Sequence, residues 1–125
     1  MGDKKIVLAI DDNVVQLKLF QSILEQKYDL RGVTSASQAL NFLNTNKMDI
    51  ILLDIDMPNI DGFEFLKDIR KIPSHLDVPI IIVSGLSGEE FLSKARNSTA
   101  ADVLIKPVSS EGLIGAIEKA LAAAG

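Results

Sequence analysis

Short apolar runs of strand length alternate along this chain with longer stretches of helical periodicity, and few folds accommodate that pattern. The runs Ile6 to Ile10, Ile50 to Leu53, Ile80 to Val83 and Val103 to Ile105 are rich in branched residues, as strands buried on both faces require. Tyr28 to Val33 is a fifth candidate, interrupted by Asp29, Arg31 and Gly32 in the manner of a sheet edge. Helical stripes fill the gaps. Val15, Leu19, Phe20, Ile23 and Leu24 make the first, and Ala36, Ala39, Leu40 and Leu43 the second, with Ser35 or Ser37 ahead of it as a cap. Phe63, Leu66, Ile69 and Ile72 make the third, ended by Pro73; Phe91, Leu92 and Ala95 make a shorter fourth. Leu113, Ile114, Ile117 and Leu121 form the last, in an Ala-rich segment of high helix propensity. Such alternation implies parallel strands joined by right-handed crossovers, hence a doubly wound α/β domain with helices on both faces of a five-stranded sheet.

At 125 residues, 47% of them hydrophobic, the chain suffices for one core, and residues 1–125 read as a single domain without repeat, linker or low-complexity tract. No apolar run approaches the roughly 20 residues that cross a bilayer, so no membrane association is expected. Met1 to Lys5 is charged and runs straight into a strand pattern without a signal-peptide core, which makes a cytoplasmic location the expectation. The absence of cysteine excludes disulfides and thiolate sites, so any metal must be held by oxygen or by His75. A net charge of −4 argues against direct nucleic-acid binding, which depends on basic side chains displacing counterions. His75, within Pro-Ser-His-Leu-Asp, reads as a solvated loop residue, and Phe20, Phe42, Phe63, Phe65 and Phe91 as packing residues.

Ligands of open parallel sheets bind beyond the carboxyl ends of the strands. Those ends carry Asp11-Asp12, Asp54-Ile55-Asp56, Ser84-Gly85 and Lys106-Pro107, while the interrupted edge run contributes nothing comparable. Bringing Asp11, Asp12 and Asp54 together costs about 4 kcal/mol per close pair at an effective dielectric near 20, so a cation must compensate. Lys106 supplies one charge. Mg²⁺ suits the remainder, because it favours a few carboxylates together with water and phosphate. Each residue has an ordinary reading: Asp12 a helix cap, Asp61-Gly62 a turn and cap, Ser84 and Lys106 surface groups. Their conjunction at four strand ends favours a phosphate site.

With these motifs, and with Leu53 to Gly62 read as LDIDMPNIDG, the chain resembles a response-regulator receiver domain over nearly its whole length. The resemblance implies the flavodoxin-like strand order 2-1-3-4-5 and identifies Asp54 as the acceptor of a phosphoryl group from a phosphohistidine. The donor would be a sensor histidine kinase or phosphotransfer protein. Asp12 and Asp54 would hold Mg²⁺ directly, the Asp56 backbone carbonyl would be a third ligand, and Asp11 would act largely through water. Lys106 and Ser84 would bind the transferred group, and the Lys106-Pro107 bond would be cis. On the output side the resemblance implies a downstream protein target or an output domain outside this sequence. It allows a homodimer through the face of the fourth helix, fifth strand and fifth helix.

Two departures matter. Val103 stands where the family often has an aromatic that rotates on activation, so output is expected through the Ser84 to Glu90 loop and the helix after it. Asp56 adds negative charge two residues after the acceptor, where its side chain can reach towards the path of an attacking water. The alternatives are a Mg²⁺-dependent phosphatase of the haloacid-dehalogenase type, and a phosphorylation-independent pseudo-receiver. The first has its nucleophile on the first strand with the acid pair much later, the reverse of the order here. The second sits poorly with a complete set of site residues.

Overall fold

The computed structural model describes residues 3–124. Met1, Gly2 and Gly125, the ends of the expected domain and part of the charged N-terminal stretch, lie outside the described residues. Five strands, β1 (Lys5–Ile10), β2 (Tyr28–Val33), β3 (Ile50–Asp54), β4 (Ile80–Ser84) and β5 (Asp102–Ile105), alternate with five helices. These are α1 (Val14–Leu24), α2 (Ala36–Thr45), α3 (Gly62–Arg70), α4 (Glu89–Arg96) and α5 (Ser110–Ala124). All neighbouring strands pair in parallel, in the order β2-β1-β3-β4-β5, which is the flavodoxin-like arrangement. No helix of the described residues is long and apolar enough to cross a membrane.

Every residue of β3 and β4 is buried, which explains why both are apolar up to their last residues, Asp54 and Ser84. Side chains alternate across the pleat. Leu8, Ile10, Ile51, Leu53, Ile80 and Ile82 pack on the face shared with α2 and α3; Val7, Ala9, Ile50, Leu52, Ile81 and Val83 pack with α1 and α5. Phe20 and Phe65 are buried in the core, with Phe42, Phe63 and Phe91 packed at its margin.

Three expectations need correction. Val15 and Leu19 face solvent at 74% and 45% exposure, because α1 turns Leu17, Phe20 and Leu24 inward instead. Ile72 is buried but lies past the end of α3, two residues after Arg70. His75 is not solvated: it is 0% exposed. A 3-10 turn, Pro73–His75, folds its imidazole inward, where Nε2 accepts the Met48 amide at 3.1 Å. Since that nitrogen must be an acceptor, the proton sits on Nδ1 and is donated to Ser74 Oγ, 2.8 Å away. Burial, and secondarily Lys47, lowers the His75 pKa, consistent with a neutral ring.

Candidate phosphoryl and metal site

Sheet hydrogen bonding carries on past the strand ends and fixes the backbone of the site residues. The Asp11 amide donates to Val33 O at 3.1 Å, Ile55 N to Val83 O at 3.1 Å, and Lys106 N to Ser84 O at 2.7 Å. Asp11, Asp54 and Ser84 are thereby held buried at the carboxyl edge, while Asp12 and Asp56 stay exposed above them. The Lys106–Pro107 peptide is cis. Asp12 does not cap α1; Asn13 does, accepting the Val15 and Gln16 amides. Asp61 caps α3 through the amides of Phe63 and Glu64. Glycine is needed at the next position, since a Cβ on Gly62 would lie 2.6 Å from Ile55 Cδ1 and 2.8 Å from Ile55 O.

One carboxylate oxygen from each of Asp11, Asp12 and Asp54 lies within 4.8 Å of the others. Asp11 Oδ1 accepts the Asn13 amide at 2.9 Å, but the buried Oδ2 has no hydrogen-bond donor. Lys106 Nζ stands 3.6 Å from that oxygen and 3.5 Å from Asp54 Oδ1, close enough for attraction and too far to satisfy Oδ2. One ammonium thus serves two buried carboxylates. Burial first, and Asp54 in part, pushes the Asp11 pKa up to about 6, against the Asn13 hydrogen bond and the pull of Lys106. An orphaned buried oxygen in an all-oxygen cluster fits a hard divalent cation such as Mg²⁺.

The sites expected from sequence converge here: Asp11, Asp12, Asp54 and Lys106 form the cluster, with Asp56 and Ser84 joined beside it. Asp54 Oδ1 also accepts the Asp56 amide at 3.0 Å. The link between Asp56 and the loop after β4 was not apparent from sequence. Asp56 Oδ1 accepts the Ser84 hydroxyl at 2.9 Å, and Oδ2 the Gly85 amide at 2.7 Å. A polar side chain two residues after Asp54 was the signal; its partner 28 residues away was not.

The family model described as response regulator receiver domain matches residues 7–118. Among curated proteins, the chain is 36% identical over 110 residues to two-component response regulator ARR12 of Arabidopsis thaliana, covering 86% of this chain and 18% of that protein. It is 28% identical over 119 residues to transcriptional regulatory protein PdtaR of Mycobacterium tuberculosis, covering 94% and 57% respectively. The chain therefore spans less than two thirds of the length of these relatives. Among solved structures, a CheY-like response regulator receiver domain protein of Methanospirillum hungatei aligns with TM-score 0.88 and 25% identity over 98% of this chain and 97% of that one. The Francisella response regulator 1452 receiver domain aligns with TM-score 0.87 and 29% identity over 98% and 100%.

Proposed function

The chain belongs to the response regulator receiver domain family, a phospho-acceptor switch of two-component signalling, and from that premise we propose that Asp54 is its acceptor. The observation that carries the assignment is the sharing of Lys106 between buried Asp54 and Asp11, whose Oδ2 is left without a donor. Asp54 Oδ1 faces the Asp56 amide and Lys106, which leaves Oδ2 to attack phosphorus. The new O–P bond forms as the P–N bond of a phosphohistidine breaks, and the imidazole nitrogen departs with the electron pair. Such transfer depends on positioning and charge neutralisation more than on proton transfer.

Asp11, Asp12, Asp54 and the Asp56 carbonyl are the residues that would hold Mg²⁺, which when bound would neutralise charge on the transferring oxygens. Lys106 orients the same oxygens from its half-buried position, and Ser84 offers them a hydroxyl. Water attack on the acyl phosphate, releasing inorganic phosphate and regenerating the carboxylate, would reverse the modification, which makes autodephosphorylation the chain's own hydrolysis.

Residues 1–125 act in this reading as one receiver unit, cytoplasmic, phosphorylated by a histidine kinase or phosphotransfer protein. It signals to a protein target or output domain, with pairing to a second copy as a further output. Val103, packed against the core cluster that also holds Ala95 of α4, lacks the ring that would report the change, so the report passes through Ser84 to Glu90 and α4. Intact mass after exposure to acetyl phosphate with Mg²⁺, with and without chelator, tests the proposal. One phosphoryl adduct that requires Mg²⁺ is expected. Continuous phosphate release over many turnovers would favour a phosphatase, and metal binding without an adduct a pseudo-receiver.

A further inference from the structure

Two donors, one at the last residue of β4 and one on the residue after it, are already taken. Ser84 Oγ–H donates to Asp56 Oδ1 at 2.9 Å, and Gly85 N–H donates to Asp56 Oδ2 at 2.7 Å. One carboxylate therefore holds a side-chain and a backbone donor in a two-point clasp. Ser84 Oγ in turn accepts the Leu86 amide at 2.8 Å, so the clasp extends two residues into the loop that leads to α4. Ser84 is fully buried, which fixes its hydroxyl, whereas Asp56 is exposed at the mouth of the site. The Asp56 amide donates to Asp54 Oδ1, which ties the clasp to the proposed acceptor through one residue's backbone.

We propose that the Asp56 side chain is a positioning residue that competes with the phosphoryl group on Asp54 for the Ser84 hydroxyl and the Gly85 amide. The inference rests on Asp54 being the acceptor. A carboxylate and a phosphoryl oxygen are both anionic acceptors, and each donor has one hydrogen to give. Occupation by one excludes occupation by the other. In the unphosphorylated chain Asp56 wins because its two carboxylate oxygens already accept both donors at short range. After phosphorylation the acyl phosphate offers more charge and more oxygens, and its repulsion of the Asp56 carboxylate helps release the loop. The exchange moves Ser84, Gly85 and Leu86 together, which gives α4 a mechanical input that does not need an aromatic at Val103.

The competition makes a directional forecast. Removing the Asp56 side chain should strengthen binding of a phosphoryl analogue, because charge-assisted hydrogen bonds no longer have to be broken first. Beryllofluoride with saturating Mg²⁺ is the probe, titrated against the native chain, Asp56→Ala, Ser84→Ala and the double variant, at fixed ionic strength. About a tenfold tighter Kd is expected for Asp56→Ala in the native background. That gain should shrink to a few-fold or less when Ser84 is already alanine, because the contested hydroxyl is gone.

An equal gain in both backgrounds would overturn the competition and leave simple charge repulsion. Unchanged or weaker binding in Asp56→Ala would also overturn it. Amide exchange of Gly85 without Mg²⁺ or analogue supplies a readout independent of phosphorylation: slower exchange is expected in the native chain than in Asp56→Ala, and equal exchange would remove the clasp itself. Failure of the native chain and every variant to bind beryllofluoride, with the Gly85 difference present, would overturn the acceptor reading and the competition with it, while the clasp stood.

Discussion

The two ends of the sheet treat buried polar groups in opposite ways. At the amino end the side chains of buried His75 and of half-buried Asp49 and Arg70 all have partners. The Asp49 carboxylate accepts the Ile6 amide at 2.7 Å, and His75 accepts the Met48 amide. The Arg70 guanidinium spans Thr99 Oγ1 and the carbonyls of Thr99, His75 and Val78. At the carboxyl end, two buried carboxylates share one ammonium, and one of their oxygens has no donor. A polar group that completes a network contributes to stability, and one left incomplete costs it. The amino end is thus built to hold the fold, and the carboxyl end to hold something the chain does not itself supply.

The comparison breaks most readily at His75. Substitution by alanine removes a buried ring and leaves the Met48 amide without its acceptor, so His75→Ala should cost about 3 kcal/mol in denaturant unfolding. Phosphorylation by acetyl phosphate should persist in the folded fraction. A loss below about 0.5 kcal/mol would show that the amino end is not the stabilising one.

Asp11 should behave in the reverse sense. Its carboxyl is held up at about 6, so at neutral pH the metal-free fold keeps it charged at a cost. A group raised in the folded state favours folding below its unfolded value near 3.8, and that contribution is lost as pH rises through about 6. Asp11→Asn should therefore stabilise the metal-free chain by about 2 kcal/mol at pH 7. It should also reduce the rise in Tm produced by Mg²⁺. Destabilisation by this change, with Mg²⁺ absent, would contradict the account of the carboxyl end.

Acidification separates the two ends by sign. His75 has a lowered pKa in the folded chain, so its neutral form favours folding above about 6.5. That contribution falls away as pH drops below 6.5 towards the folded value, because the unfolded chain takes up the proton first. Urea midpoints measured from pH 7.5 to 5.5 should show a downward acid component that is absent in His75→Gln, and an opposing one that is absent in Asp11→Asn. The same slopes in both variants and the native chain would remove these groups as its source.

The smallest expected effect sets the baseline. Lys27 and Glu118 pair at 3.7 Å with both side chains more than half exposed, and Lys27→Ala should change stability by less than about 0.5 kcal/mol. A larger loss in a thermal melt would mean that surface pairs confuse the comparison.

How much of this was readable in advance depended on the range of the interaction. β3 and β4 were plain because burial on both faces demands apolar residues, and the acid Asp54 and the hydroxyl Ser84 followed from where those runs stopped. β5 starts one residue earlier than its apolar run, at Asp102, because pairing with Ile81 is a backbone matter. Val15 and Leu19 were misplaced on α1 because apolar residues occupy both its faces, and periodicity alone does not choose between them. His75 was misread because Pro, Ser and Asp around it are the composition of a loop, while its partner Met48 is 27 residues away. The Asp56 clasp has the same origin: two donors at a strand end meet a carboxylate from the turn after another strand, and no local pattern records the meeting.

Locating the phosphoryl group tests the central claim most directly. The chain, phosphorylated with acetyl phosphate and Mg²⁺, is reduced with borohydride, which converts an acyl phosphate to an alcohol, and the altered residue is mapped by peptide mass spectrometry. Conversion at Asp54 alone, lost in Asp54→Ala, is the predicted result. An adduct that resists borohydride, or conversion at Asp11, Asp12 or Asp56 in the native chain, would contradict it.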